Sequence, residues 1–230
     1  MNKKILCFIL IFLCSILPVK ASYKTAYTTQ KTYVYKKAST NSKRVSLKKN
    51  TKIYIIKTKG KFYQVYNSKK TTKGYILKKY VREKTDNNKI STSWKSKIKK
   101  TSWSKTKNIL KNDQYAFLYL IETKERIFIK RLGGLNHADL EPADINETEK
   151  LKRLCKGTYS WNTHPVILEV NEHYIAASIN TMPHGRQTIK DNDYNGHFCL
   201  HTVGSKTHGT NKVQKEHQKT INEAYKWRNK

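Results

Sequence analysis

The chain has 230 residues, of which 47 are Lys or Arg and 16 are Asp or Glu, and 37% of the residues are hydrophobic. This length has room for two small domains, and the polarity excludes a membrane protein with several spans. The charge is uneven, since residues 22–110 contain 26 basic and 2 acidic residues, whereas residues 111–230 contain 18 and 14. All eight histidines lie in the second part. We therefore expect any chemistry there.

The first 21 residues have the pattern of a signal peptide. Lys3 and Lys4 precede an apolar stretch over residues 5–17, and Val19 and Ala21 place small residues at the positions that a signal peptidase reads. We expect cleavage after Ala21 and export of the mature chain. The apolar stretch is shorter than the ~20 residues that span a bilayer, so no stable membrane span is expected after cleavage.

Residues 22–84 are predicted to form a small β-barrel. Short stretches in which apolar and aromatic residues alternate with polar ones are separated by turns rich in Ser, Asn, Lys and Gly, a spacing typical of all-β barrels or sandwiches. These stretches are residues 32–35, 52–56, 62–66 and 74–77.

This region resembles the SH3-like domains of exported bacterial proteins. The resemblance rests on the segments KKASTNSK at 36–43, GKFYQV at 60–65 and KGYI at 73–76. It implies binding to the cell wall. The family often has a Trp where Phe62 or Tyr63 stands, so its ligand preference does not transfer to this chain.

The charge of residues 22–110 is an independent argument for a polyanionic partner. Outside the cell, the excess of Lys meets peptidoglycan carboxylates and anionic wall polymers, and the attraction depends on ionic strength. We therefore expect a secreted protein associated with the cell wall. Nucleic acid is not expected as a partner, because the chain is exported and has no base-reading motif. The alternative is a solvated Lys-rich surface without a specific ligand.

Residues 85–111 are predicted to be a basic linker. Residues 83–111 contain nine Lys and lack apolar periodicity. In the alternative interpretation, Trp103, Ile109 and Leu110 belong to a short helix that packs on the surface of the next domain.

Residues 112–230 are predicted to form a β-rich mixed domain. Two hairpins are expected, over 115–130 and 165–179, because β-branched and aromatic residues alternate on both sides of polar turns. Asp144 is expected to cap a helix that has Glu147 in the capping-box position and Cys155 in the core, and a second helix is expected over 215–227. The fold class is thus mainly β with some α, as a small barrel followed by a β-rich domain with peripheral helices.

The segment from Gly196 to His201 carries the candidate chemistry. If residues 197–201 are extended, His197, Cys199 and His201 share one face, and Phe198 and Leu200 point to the other. A neighbouring imidazole can take a proton from a cysteine thiol and return it during acyl transfer. The pattern therefore predicts a Cys/His acyl-transfer site with Cys199 as the nucleophile.

Here the sequence resembles a divergent L,D-transpeptidase catalytic domain, whose pattern is an upstream His-Gly followed by Ser/Thr-His-Gly-Cys-aliphatic-Arg. The resemblance implies that His184 supplies the base, that Cys199 is the nucleophile, and that His197 matches the histidine two positions before it. His201 stands where the family has Arg. Gly196 replaces Ser/Thr, Phe198 replaces a glycine, and the gap after His184 is short.

The activity implied is attack by Cys199 on a peptidoglycan stem peptide, between an L-centre and a terminal D-residue. The resulting thioester is resolved by an amine or by water. Backbone N–H groups near Cys199 are expected to stabilise the oxyanion. No cofactor is expected in this mechanism. The acceptor amine and the oligomeric state stay open.

Two other classes of function fit the same residues. The first is a zinc-dependent peptidoglycan peptidase, because several side chains in this region are able to ligate a metal: His184, Asp191, His197, Cys199 and His201. The second is a non-catalytic wall-binding protein whose histidines satisfy a polar core.

Several residues have minor expected roles. Asn180 or Asn195 could orient a histidine, and His137 with Asp139 could either support the site or form a loop. A disulfide between the two cysteines of the mature chain is not favoured. The remaining histidines are predicted to be bystanders on turns or helix surfaces: His164, His173 and His217.

Overall fold

The computed structural model describes residues 24–67, 72–83 and 92–230, so the predicted signal peptide lies outside the described residues. The described residues are mainly β, with 42% strand and 20% helix, which confirms the predicted fold class. In the part of the chain that is described, no helix is both long enough and apolar enough to cross a membrane.

The first domain is a seven-stranded antiparallel sheet in the order β3-β2-β6-β5-β4-β1-β7. Six of its strands contribute to one apolar cluster, so the sheet curls around its own core. The strands are β1 Lys24–Thr28, β2 Thr32–Tyr35, β3 Arg44–Leu47, β4 Lys52–Lys59, β5 Phe62–Asn67, β6 Thr72–Leu77 and β7 Val81–Glu83.

Gly74 explains how β6 approaches β2 so closely. A Cβ atom at this position would lie 2.6 Å from the carbonyl oxygen of Tyr35 and 2.6 Å from Cγ1 of Val34. A side chain would therefore push the two strands apart, and glycine is required for the sheet to curl. The sequence segment that contains Gly74 supported the barrel prediction.

The second domain is a closed barrel. Six strands pair in the order β12-β9-β10-β11-β14-β13, and β12 also pairs with β13, which closes the ring. The short β8 lies parallel to β13 at its edge. The strands are β8 Ile98–Lys99, β9 Tyr115–Leu120, β10 Glu125–Gly133, β11 Ala138–Pro142, β12 His164–Val170, β13 His173–Ile179 and β14 Phe198–His201. Both predicted hairpins are present.

Alternate residues of every strand in this ring fill the barrel interior. Leu118, Ile127, Leu140, Leu168 and Phe198 belong to one fully buried cluster. Because strand residues alternate between two faces, the intervening side chains of each strand project from the outside of the barrel. The outer face is therefore where polar and reactive side chains can gather.

Three helices flank the barrel: α1 Trp103–Ile109, α2 Ile145–Leu154 and α3 Lys215–Lys226. Asp144 caps α2 as predicted, since its Oδ1 accepts from the N–H groups of Asn146 and Glu147 at 3.0 and 3.3 Å. Glu147 does not complete a capping box. Its carboxylate turns inward, accepts from the N–H of Phe128 at 2.7 Å and pairs with Lys150 at 2.8 Å.

The region predicted as a linker is largely part of the second domain. Residues 84–91 lie outside the described residues, but residues 92–97 form a 3₁₀ helix, β8 pairs with β13, and Trp103 is buried in the barrel cluster. The linker prediction is therefore wrong from residue 92 onward, and the alternative short helix is present as α1. The high Lys content obscured this, because those side chains point to solvent while isolated apolar residues pack inward.

The two domains contact each other through aromatic side chains. Tyr54 and Tyr66 of the first sheet pack with Phe117 and Phe128 on the outside of β9 and β10. The hydroxyl of Tyr66 donates to the carbonyl of Tyr115 at 2.9 Å and accepts from its N–H at 3.1 Å. The sheet therefore provides both a packed surface and two specific hydrogen bonds to the barrel.

We predict that Tyr66→Phe destabilises the protein, because it leaves the buried donor and acceptor of Tyr115 without this partner. The expected loss is about 1–3 kcal/mol of unfolding free energy, measured by denaturant titration. Tyr63→Phe is the matched control, since the hydroxyl of Tyr63 bonds Glu83 at the surface of the same sheet. Equal stabilities of the two variants would contradict the proposed role of the Tyr66 hydroxyl at the interface.

Candidate active site

The candidate site lies on the outside of the second barrel, across β11, β14 and β13. Phe198 and Leu200 point into the barrel interior, while Cys199 is on the opposite face of β14 and pairs in register with Asp139 of β11. The predicted alternation around Cys199 is therefore confirmed. It places a thiol and a carboxylate side by side on two neighbouring strands.

A cavity of about 340 Å³ opens over Cys199. The start of α3 and the loop around His208 border it, and Trp161, which is 58% exposed, stands at its rim. The ring of Trp161 lies 4.9 Å from the ring of His184. A larger depression of about 530 Å³ runs along α3, but neither Cys nor His is among its lining residues. Another depression, of about 380 Å³, is lined by Cys155 and His164, but the Cys155 thiol bonds a backbone carbonyl, whereas the Cys199 thiol contacts an imidazole.

His184 is oriented to accept a proton from Cys199. Its Nε2 lies 3.4 Å from Sγ, and its Nδ1 lies 2.9 Å from the carbonyl oxygen of Met182. Because a carbonyl can only accept, Nδ1 carries the hydrogen, and Nε2 of the neutral ring presents a lone pair to the thiol. Burial lowers the pKa of His184, with a smaller effect from His197, so the neutral ring is favoured.

Two glycines allow the segments that carry the site histidines to approach each other. Gly185 and Gly196 have φ of +62° and +129°. A Cβ on Gly185 would lie 2.6 Å from Cε1 of His197, and one on Gly196 would lie 2.5 Å from the carbonyl oxygen of His184. His184, which precedes Gly185, and His197, which follows Gly196, pair with each other in an isolated β-bridge. A side chain at Gly185 would therefore clash with the ring of His197, and one at Gly196 with the backbone of His184.

Asp139 is the centre of an imidazole cluster. Its Oδ1 lies 3.2 Å from Nε2 of His208, 3.6 Å from Nε2 of His137 and 3.8 Å from Nε2 of His197. His137 and His197 are held from behind, since their Nδ1 atoms lie 2.7 and 3.0 Å from the carbonyl oxygens of Lys206 and Arg186. Their Nε2 lone pairs therefore also point toward the cluster.

A second group of rings lies beneath the cavity. His201 stacks on His217 with centroids 3.7 Å apart and on His137 with centroids 4.4 Å apart. Nδ1 of His217 bonds the hydroxyl of Ser178 at 2.8 Å. Burial lowers the pKa of His201 to about 2 and that of His217 to about 4, with neighbouring imidazoles contributing. The stack is therefore neutral at physiological pH.

Burial disfavours the thiolate form of Cys199, which is the more nucleophilic form of a cysteine. It raises the pKa of Cys199 to about 12, an effect reinforced by Asp139 and opposed by a hydrogen bond from Asn180. The resting form is accordingly the thiol and not a thiolate–imidazolium pair. Asn180, one of two residues expected to orient a histidine, instead contacts Cys199, while Asn195 is exposed.

The structure brings together four of the five residues that the sequence grouped, and leaves Asp191 apart from them. Cys199 and His184 are in contact, His197 packs against His184 with ring centroids 4.4 Å apart, and His201 lines the cavity floor. Asp191 is exposed on the loop before β14. Among the described residues, the donor groups compact enough for a metal include neither Asp191 nor His201. The zinc ligand set expected from the sequence is therefore not assembled as such.

Several residues of the site are not linked to one another by any local sequence pattern. Asp139 and His208 lie 69 residues apart in sequence and meet only in the fold. Trp161 carries no sequence signal beyond its aromatic ring. The bystander interpretation of His217 is wrong, because its ring is buried, whereas His173 is exposed as expected.

The two described cysteines are both free. Cys155 is only half-buried at the end of α2, so its placement in the core is wrong, and its thiol donates to the carbonyl of Lys152 at 3.4 Å. It faces a different surface depression from Cys199. This makes Cys155 a natural internal reference for the reactivity of Cys199.

Comparisons with protein-family models, with curated proteins and with solved structures found no match.

We predict that acid destabilises the fold partly through His217. In the unfolded chain its pKa returns to the ordinary value of 6.5, so between pH 6.5 and about pH 4 the unfolded state binds a proton that the folded state does not. Stability is then lost as the pH falls through this window. His201 and His137 are the titratable groups facing it, and both have lowered pKa values.

His217→Asn is expected to flatten the pH dependence of the unfolding free energy by up to ~1.4 kcal/mol per pH unit. Denaturant titrations at several pH values between 4 and 7 measure this slope. His173→Asn is the control, because His173 is exposed on the turn between β12 and β13. A His217→Asn slope equal to that of the control would contradict a buried neutral His217.

Proposed function

We propose that the protein is an exported cell-wall enzyme that transfers the acyl group of peptidoglycan stem peptides, with Cys199 as nucleophile and His184 as base. The observation that carries the proposal is the 3.4 Å approach of His184 Nε2 to Cys199 Sγ at the base of an open cavity. The Met182 carbonyl holds the ring in the one tautomer that can take the thiol proton. A protein that only binds the wall would not need this arrangement.

The reaction follows from these two groups. Sγ attacks the amide carbonyl carbon as the thiol proton passes to His184 Nε2, which forms the C–S bond and an imidazolium. The C–N bond then breaks, and the imidazolium returns its proton to the departing amine. An incoming amine or water attacks the thioester carbonyl carbon and gives its proton to His184 Nε2. The C–S bond then breaks, and the imidazolium returns the proton to Sγ. Because the resting thiol is neutral, the first proton transfer accompanies the attack.

The surroundings of Cys199 suit an extended peptide. Trp161 offers an exposed aromatic surface at the rim, and Oδ1 of Asn180, the residue after β13, accepts from the backbone N–H of Cys199 at 3.5 Å. The L,D-transpeptidase pattern has Arg where this chain has His201. Because His201 is buried and neutral, the substrate carboxylate has to be held by other groups at the rim, such as the half-exposed His208.

The first domain is proposed to retain the enzyme at the wall. Exposed lysines are concentrated on it, including Lys36, Lys37, Lys48 and Lys49. Arrays of this kind bind peptidoglycan carboxylates and anionic wall polymers through charge that salt screens. The proposal thus includes secretion of the protein and its association with the cell wall through peptidoglycan and anionic wall polymers.

We predict that Cys199→Ala lowers turnover of a tetrapeptide stem by at least ~10³-fold, because the nucleophile is removed. Cys155→Ala is the matched control and keeps its rate. The assay follows product formation by mass spectrometry, together with trapping of an acyl adduct on intact protein. The adduct is expected on Cys199 in the wild type and in Cys155→Ala.

His184→Gln is expected to lose turnover as Cys199→Ala does, although it keeps the thiol. The variant therefore tests the role of the base independently of the nucleophile. Circular dichroism and denaturant midpoints establish that each variant is folded. A folded Cys199→Ala protein that keeps its rate would overturn the cysteine mechanism.

We predict that replacing Lys36, Lys37, Lys48 and Lys49 by Gln weakens binding of the protein to isolated cell walls. The wild type is expected to dissociate as salt rises, and the variant at lower salt, because fewer charges are neutralised. Co-sedimentation across a salt series measures both. The matched control replaces four exposed lysines of the second domain: Lys105, Lys107, Lys212 and Lys219. Equal effects of the two quadruple variants would argue against retention by the first domain.

A further inference from the structure

The cavity contains more metal-binding atoms than the proposed acyl transfer uses. His137, Asp139, Cys199 and His208 each offer one ligand atom, and these four atoms all lie within 4.8 Å of one another. His137 is 1% exposed, and its Nε2 has no hydrogen-bond partner among the described residues. A buried ring nitrogen that faces other donors without a partner points to a ligand that it would bind.

His137, the most buried of the four residues, has the orientation that metal-binding histidines usually have. Nδ1 of His137 donates to the carbonyl of Lys206 at 2.7 Å, so the opposite nitrogen carries a lone pair directed at Asp139. A backbone carbonyl behind the ring is a common support of a metal-binding imidazole, because it fixes the tautomer and the ring orientation. Burial also lowers the pKa of His137, which favours the neutral ring that binds metals.

The spacing of the donors suits a small tetrahedral ion. Ligands at ~2.0–2.3 Å from zinc are ~3.3–3.8 Å apart in a tetrahedral site. Asp139 Oδ1 is already 3.2 Å from His208 Nε2 and 3.6 Å from His137 Nε2. With the whole group inside 4.8 Å, the remaining pairs of ligand atoms need to close by at most about 1.5 Å. A set of imidazole, thiolate and carboxylate donors matches zinc among the common divalent ions.

We propose that His137, Asp139, Cys199 and His208 form a zinc site whose occupation switches off the Cys199 nucleophile. Four protein ligands leave no open position for a water or a substrate carbonyl, so this site is not that of a zinc hydrolase. Binding converts the thiol to a metal-bound thiolate, releases its proton to solvent and forms the Zn–S bond. The bound sulfur is then no longer available for attack.

His208 is the ligand that makes the site reversible. Its side chain is 49% exposed on the loop between β14 and α3, whereas His137 and Asp139 are held by the barrel. A metal could therefore enter and leave by movement of one exposed side chain. The inhibition rests on the proposed function, but the metal site itself does not.

The test uses the purified, metal-stripped protein and zinc alone. We expect one equivalent of zinc to bind, and zinc to slow alkylation of Cys199 by iodoacetamide at least ~10-fold while Cys155 in the same molecule reacts at an unchanged rate. A chelator restores both the alkylation of Cys199 and the turnover of stem peptide. Substitution by cobalt is expected to give a thiolate-to-metal charge-transfer band.

Variants separate this site from adventitious binding. Asp139→Asn with His208→Ala is expected to weaken zinc binding at least ~10-fold and to abolish the protection of Cys199. His173→Ala is the control, because His173 is exposed at the end of β13 that is remote from the cavity. This variant is expected to change neither the zinc affinity nor the protection of Cys199. Both effects are read without an activity assay.

Three results would overturn the proposal. They are unchanged zinc affinity in the double variant, unchanged alkylation of Cys199 in the zinc-bound protein, and a turnover rate that rises with one equivalent of zinc. Loss of the cysteine mechanism gives a different result, since Cys199→Ala would keep its turnover while zinc still protected Cys199 in the wild type.

Discussion

Closure of the second sheet is the constraint on which the site depends. Once β12 pairs with β13, every strand of the ring has a defined inside and outside, and the interior accepts only apolar side chains. Phe198 and Leu200 are fixed inside, so Cys199 has to face outward next to Asp139. A shift of β14 by one residue would bury the thiol in the core and expose two large apolar side chains. The hydrophobic core therefore determines the position of the Cys199 thiol.

A set of buried, neutral imidazole rings is the second feature that organises the site. The rings of His184, His137, His201 and His217 all have lowered pKa values, and backbone carbonyls or a hydroxyl hold the outer nitrogens of three of them. Neutral imidazoles with fixed tautomers can accept a proton or bind a metal, but they contribute no standing positive charge. This explains why the thiol of Cys199 is not ionised at rest, despite several histidines around it.

Much of this fold could be predicted from the sequence because strand alternation is a local property. The two hairpins, the cap at Asp144 and the outward face of Cys199 all follow from side-chain order within short segments. The inward turn of Glu147 could not be predicted, because it depends on the N–H of Phe128 in a neighbouring strand. The folded part of the predicted linker was hidden for a similar reason, since Ile98 and Trp103 find their partners in distant strands.

The candidate site was predictable only in part, for the same physical reason. Cys199 and His184 belong to one short stretch of sequence with recognisable spacing, and the structure places them in contact. Asp139 and His208 come from β11 and from the loop after β14, and nothing in their local sequence links them. The zinc-capable residues in the local segment included Asp191, which faces solvent, whereas the donors that converge are non-local. In this chain, sequence spacing identifies the pair of Cys199 and His184 but not the cluster of potential metal ligands around Asp139.

The arrangement of the two domains bears on how an enzyme held at the wall could work. The first domain packs on the outside of β9 and β10, whereas the cavity lies over β14 and β13. In a six-stranded ring with the order β12-β9-β10-β11-β14-β13, these two pairs of strands are on opposite sides. The first domain and the cavity are therefore on opposite sides of the barrel. In the proposed function, the first domain therefore does not occupy the side of the barrel from which a stem peptide would reach Cys199.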